Sequence, residues 1–148
     1  MSLSAEGYRD GRRRPDMTEV IETLEAVTIH VTDIQRARKF YTEVLRLKEL
    51  QFNERASRAA YAIPGTNVQL TMHVMGEGEG GRPAGTVSGI VFSHNDPVAA
   101  CEEIRKRGGK IVDEAHSFTT PFAKVTLGVF ADPDGNEFVI RRLDLVTK

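Results

Sequence analysis

The sequence predicts an α+β fold of two matching βαβββ modules with a cleft between them, and three observations predict it. An apolar stretch leading into a capped amphipathic helix occurs twice, at 27–33 and 89–96. A glycine-bearing hairpin closes each copy, Pro64-Gly65-Thr66-Asn67-Val68-Gln69-Leu70 and Asp134-Gly135-Asn136-Glu137-Phe138-Val139-Ile140. Between the copies lies a stretch rich in glycine. Pairing the caps Asp33 and Asp96 gives an offset of 63 and pairing Gly65 with Gly135 gives 70, so the second copy carries an insertion of seven residues.

Residues 1–22 hold Gly7, Gly11, Pro15 and the basic run Arg12-Arg13-Arg14 without sustained periodicity, which predicts a mobile N-terminal arm. The first module spans 23–75. Val27, Ile29 and Val31 alternate with Ala26, Thr28 and His30 as the two faces of a strand. Asp33 then caps a helix whose buried side is Ile34, Ala37, Phe40, Tyr41, Val44 and Leu45. Apolar stretches at 47–52, 59–63 and 68–74 supply three strands, and the parity of Tyr61 makes it core or pocket wall.

The link, 76–85, holds five glycines and Pro83. The second module spans 86–145, with Asp96 as cap, Pro97 at the first helical position, and Val98, Cys101 and Ile104 as the buried stripe. Gly108-Gly109 ends that helix, and Asp132-Pro133-Asp134-Gly135 turns the last hairpin. Strands are expected at 110–113, 124–130 and 136–142, and the insertion falls in the polar loop 114–122. In that loop Phe118, Pro121 and Phe122 either cap the cleft or meet a second subunit. His94 and His116 are placed in loops.

Twenty basic against 21 acidic residues leave a formal charge of -1, and so no field that favours nucleic acid. No apolar run approaches the roughly 20 residues that span a bilayer, and cytoplasmic location is expected. The single cysteine, Cys101, forms no intrachain disulfide and reads as a packing residue.

The stretches Val31-Thr32-Asp33-Ile34-Gln35-Arg36-Ala37-Arg38-Lys39-Phe40-Tyr41-Thr42-Glu43-Val44-Leu45 and Phe130-Ala131-Asp132-Pro133-Asp134-Gly135-Asn136-Glu137-Phe138-Val139-Ile140 resemble the vicinal oxygen chelate superfamily, which includes glyoxalase I, extradiol dioxygenases and bleomycin-binding proteins. The resemblance implies a glyoxalase-like fold, in which two βαβββ modules curl their strands into a cup-shaped mixed sheet with the helices outside. It also implies a homodimer. Metal-dependent relatives place their ligands on the cup side of the first and last strand of each module, which here are Ala26, Gln69, Gly89 and Val139. A divalent ion needs His nitrogen or carboxylate oxygen, and only Gln69 offers so much as a neutral oxygen. The departure argues against glyoxalase I, dioxygenase or thiol-transferase activity, and no metal or other cofactor is assigned.

Strand parity puts Thr28, His30, Gln69, Thr71, His73, Val91, Ser93, Glu137 and Arg141 on the cup side, and these are the candidate ligand-binding residues. Arg141 pairs either a ligand carboxylate or phosphate or its neighbour Glu137. Ser93 has no base and acid set that would make it a nucleophile. The leading expectation is a metal-independent protein that binds a small, partly apolar organic molecule in the cup, an anionic one among the options. The alternative is a lyase, isomerase or dioxygenase-like enzyme with a displaced metal site formed by His30, His73 and Glu137.

Overall fold

The structure is a computed structural model that describes residues 18–76 and 82–146. Most of the expected arm and much of the expected link lie outside these residues. The chain forms β1 (Ala26–Val31), α1 (Ile34–Lys39) continued by a π-helical turn (Phe40–Val44), then β2 (Lys48–Asn53), β3 (Arg58–Ala62) and β4 (Gln69–Val74). The pattern then repeats as β5 (Val87–Ser93), α2 (Pro97–Lys106), β6 (Lys110–Thr119), β7 (Ala123–Ala131) and β8 (Glu137–Leu145). Each repeat makes a mixed four-stranded sheet, ordered β1-β4-β3-β2 and β5-β8-β7-β6, and both sheets are open.

Local chemistry explains the elements. The Asp33 and Asp96 carboxylates accept from the N–H groups of Arg36 and Ala99, three residues into their helices, at 3.1 and 3.0 Å. Alternation sends Ile29 and Val31 inward with Leu70 and Met72, while Thr28, His30, Thr71 and His73 face the other way. In the last hairpin the Gly135 N–H donates to the Asp132 carbonyl at 2.9 Å, and its φ of 85° is one that a side chain resists.

The structure corrects four expectations. The first helix changes pitch at Phe40, where the Leu45 N–H reaches back five residues to the Phe40 carbonyl, and this turn buries Phe40, Tyr41 and Val44 together. On α2 the buried stripe is Pro97, Cys101 and Ile104, whereas Val98 is exposed. Residues 114–119 form no loop: β6 runs to Thr119 and pairs with β7, with register irregularities between Ile111 and Asp113 and between Asp113 and His116, and the inserted length goes into a β6–β7 hairpin longer than that of β2 and β3. His116 therefore sits on a strand, while Phe118 and Phe122 are both exposed near the tip of the hairpin. Finally, β5 bulges between Val87 and Val91, so Val91 and not Gly89 lies opposite Val139. Gly89 takes up the bulge at φ 77°.

One hydrophobic cluster joins both repeats, and its seam is made by the helix sides of the sheets. Tyr41, fully buried, donates its hydroxyl to Asp132 Oδ2 at 2.6 Å and sets its ring edge-on to Phe138. Asp132 also accepts from the N–H groups of Asp134 and Asn136 and from the Asn136 amide. That amide in turn donates to the His30 carbonyl at 2.9 Å, while its oxygen accepts from Gly85 and Thr86. Asp134 takes the Thr32 N–H, the Thr32 hydroxyl and the Arg36 guanidinium. At the far end of the seam Arg107 donates to the Val44 carbonyl at 2.7 Å. No helix of the described residues is long and apolar enough to cross a membrane.

Burial, and then the Asp132 carboxylate, hold the Tyr41 phenol well above its ordinary value. Its folded-state pKa is raised, so its contribution to stability is complete below about pH 10 and is lost as pH climbs toward the folded value. Tyr41→Phe should lower stability at neutral pH by about 1–3 kcal/mol and flatten the alkaline fall. Urea unfolding at pH 7 and at pH 10.5 (about half a unit above the free phenol) checks both; equal slopes with pH in the two proteins would contradict the role given to this hydroxyl.

Candidate functional site

The side of the first sheet turned away from α1 is a ruled surface. Register places Ala26, Gln69, Ala62 and Lys48 in one row across the four strands, then Thr28, Thr71, Ala60 and Gln51, then His30, His73, Arg58 and Asn53. The Thr28 and Thr71 hydroxyls share a hydrogen bond of 2.7 Å. The His30 and His73 rings meet edge to face with centroids 4.6 Å apart. His30 Nδ1 donates to the Arg82 carbonyl, which fixes a proton on that nitrogen, and the Arg82 guanidinium spans the Val87 and Ser88 carbonyls. A concavity of about 270 Å³ opens over this face, lined by Gln51, Asn53, Arg58, Ala60, Gln69 and Thr71.

The matching face of the second sheet has a different chemistry. Val91, Val139 and Val129 form one row that ends on Asp113 of β6, Ser93, Arg141 and Leu127 the next, ending on His116, and Leu143, Val125 and Phe118 a third. Ser93 and Arg141 line a shallow groove beside β8 with His94, Asn95 and Asp144. His94, exposed, accepts the Asp96 N–H on its Nδ1 at 2.8 Å. Val91, Leu143 and Leu145 are 47%, 47% and 69% exposed, an unusual amount of free apolar surface for one strand pair and its edge.

The nine residues expected on the cup side are thus distributed by sheet. Thr28, His30, Gln69, Thr71 and His73 share the first face, and Val91, Ser93, Glu137 and Arg141 lie on the second. The histidine pair forms as the strand register requires. Glu137 does not complete it, because among the described residues no three His, Cys, Asp or Glu side chains gather as a metal would need. The displaced His30, His73 and Glu137 site is therefore not assembled within the chain.

Sequence reasoning missed Gln51, Asn53 and Arg58. Parity on β3 carried the signal, since Arg58 alternates with the buried Ala59 and Tyr61. A second cavity of about 370 Å³ lies on the seam between the repeats, where Leu45, Leu47 and Ile63 face Phe92, Ile104 and Phe130; of the nine residues expected from sequence, Val91 and Ser93 also line it.

Comparison with known structures supports the same architecture. TnmS3, an antibiotic binding protein from Streptomyces sp. CB03234, is 23% identical, with 85% of this chain and 99% of that chain covered at a TM-score of 0.67. A glyoxalase/bleomycin resistance protein/dioxygenase superfamily member from Sphaerobacter thermophilus DSM 20745 is 23% identical over 83% of this chain and 98% of its own, also at 0.67. A structure from the mobile metagenome of V. Pseudocholerae is 25% identical over 83% of this chain and 95% of its own, at 0.63. No curated protein matches the chain. The Glyoxalase/Bleomycin resistance protein/Dioxygenase superfamily model matches residues 23–140, a span that takes in the first sheet and the second as far as Ile140, and the chain accordingly belongs to that superfamily.

Proposed function

We propose that this protein binds a small organic ligand without a metal, on the concave faces of its two sheets, and that two copies pair so that each cup is closed by the first sheet of one and the second sheet of the other. The observation that carries the reading is the exposed apolar surface of the second sheet, Val91, Leu143 and Leu145, beside a first sheet of hydrogen-bonding groups. Left half exposed, each such side chain forgoes about 1 kcal/mol of burial, roughly half the value for a full transfer, so a ligand, a second copy or both have a reason to cover it.

Three further observations agree. The seam inside the chain uses the helix sides, through Tyr41, Val44 and Arg107, and leaves the opposite faces to other partners. Ala26, Val139 and Val91, which the register sets opposite Val139 in place of the expected Gly89, offer no side-chain lone pair for a metal at the positions where metal-dependent relatives hold one. TnmS3, which shares the fold, is an antibiotic binding protein. Binding of this kind requires apolar burial and a few oriented polar groups, and no turnover.

Native mass spectrometry of the purified protein should give a two-chain mass. Thermal unfolding across a panel of aromatic metabolites and antibiotics should give at least one compound that raises Tm, since a ligand specific to the folded state stabilises it by mass action. Thr71→Tyr, which fills the first face, should abolish that shift, and Val98→Lys on the exposed side of α2 should leave it intact. A single-chain mass, or a shift indifferent to Thr71→Tyr, would contradict the proposal.

A further inference from the structure

We infer that the first sheet's concave face is an anion subsite in which Arg58 holds the charged end of an organic acid, while the acid's apolar body lies against the valine row of the second sheet. The inference rests on the binding role proposed above and gives it a ligand class: a carboxylate, sulfonate or phosphate on a largely apolar frame.

Charge is the first argument. The three rows of the first face contain Lys48 and Arg58 and no Asp or Glu, in a chain whose formal charge is -1. Arg36, Arg38, Arg105, Arg107 and Arg142 each pair with a carboxylate; Arg58, like Arg46, Arg55, Arg82 and Arg141, has no acidic partner among the described residues, and of these five it is the one that lines the concavity of the first face. An unneutralised cation in a concavity concentrates field lines there and draws in anions.

Geometry is the second. Arg58 stands between Asn53 and His73 in the row, over the same concavity as Gln51, Gln69 and Thr71. A guanidinium presents a fork of N–H donors that matches two oxygens of one anionic group, and the neighbouring Gln51, Asn53 and Gln69 amides add donors for the same oxygens. In open solvent such a pair contributes little. Covered by a second face that excludes water, it is much stronger.

The third argument is contrast. Val91, Val139 and Val129 run across β5, β8 and β7 without a polar atom in their side chains, so the two faces solvate opposite ends of one molecule. Arg141 stands on the second face beside Ser93 and Leu127 and also lines the groove along β8, so the anion subsite is placed at Arg58 because of the hydrogen-bonding groups around it.

Two fluorescent probes of nearly equal shape test this on the full chain: 1-anilinonaphthalene-8-sulfonate and N-phenyl-1-naphthylamine, which lacks the sulfonate. The sulfonate should bind at least about tenfold more tightly and weaken with added salt. Arg58→Gln should remove that advantage and leave the neutral dye's affinity unchanged, with Arg58→Lys in between. Equal affinities of the two dyes, or a sulfonate indifferent to Arg58→Gln as it would be in the seam cavity, overturns the anion subsite and leaves the binding role standing. Failure of both dyes to bind saturably overturns the binding role as well.

Discussion

Asp132 is a buried carboxylate between two sheets, and the architecture depends on the donors that surround it. An ionised carboxylate loses several kcal/mol of solvation on burial, and only a full set of hydrogen bonds offsets that. Here four donors reach its two oxygens: the Tyr41 hydroxyl, the Asn136 amide, and the N–H groups of Asp134 and Asn136. One comes from the first repeat and three from the hairpin turn of the second. Docking thus supplies the fourth donor at the same step that buries the carboxylate, which couples the two events. Asp134 and Asn136 extend the joint to Thr32, Arg36 and the His30 carbonyl, fixing the end of β1 against the last hairpin.

That joint determines what the sheets offer to solvent. Because Tyr41, Phe138, Val44 and Arg107 meet on the helix side, the opposite faces are left for recognition. Those faces inherited one plan and diverged in chemistry. Where the first has Thr28 beside Thr71 and His30 beside His73, the second has Val91 beside Val139 and Ser93 beside Arg141. The bulge at Gly89 changes the second register further, so the repeats are equivalent in topology without being equivalent in the side chains they bring together. A first surface of hydrogen-bonding groups and a second with a valine row across three of its strands suit a ligand with two unlike ends.

The legible part of this fold was the local part. Both helix caps, the strand parity of β1 and β4, and the glycine turn at Gly135 follow from residues within a few positions of each other, and each is where the sequence puts it. The π-helical turn was not legible, because it arises from packing Phe40, Tyr41 and Val44 against the sheet and not from helix propensity. The polar composition of 114–119 reads as a loop, yet pairing with β7 overrides it. The candidate site was half legible. Parity sorted the first and last strands of each repeat, while Arg58 emerged only once the register aligned β3 with β4. Nothing local marks Asp132 as more than a turn residue, since its partner Tyr41 lies 91 positions away.

The proposed pairing of unlike faces across two copies is tested most directly by cross-linking. In a Cys101→Ala background, which removes the one native thiol, Gln69→Cys and Val139→Cys place single thiols on the first and second faces. Co-expressed as separate chains and treated with a short bifunctional thiol reagent, they should give a covalent species of two chains, absent when either variant is alone. Contradiction would come from a mixture that stays at one-chain mass while the two cysteines, placed together in a single chain, link to each other within it.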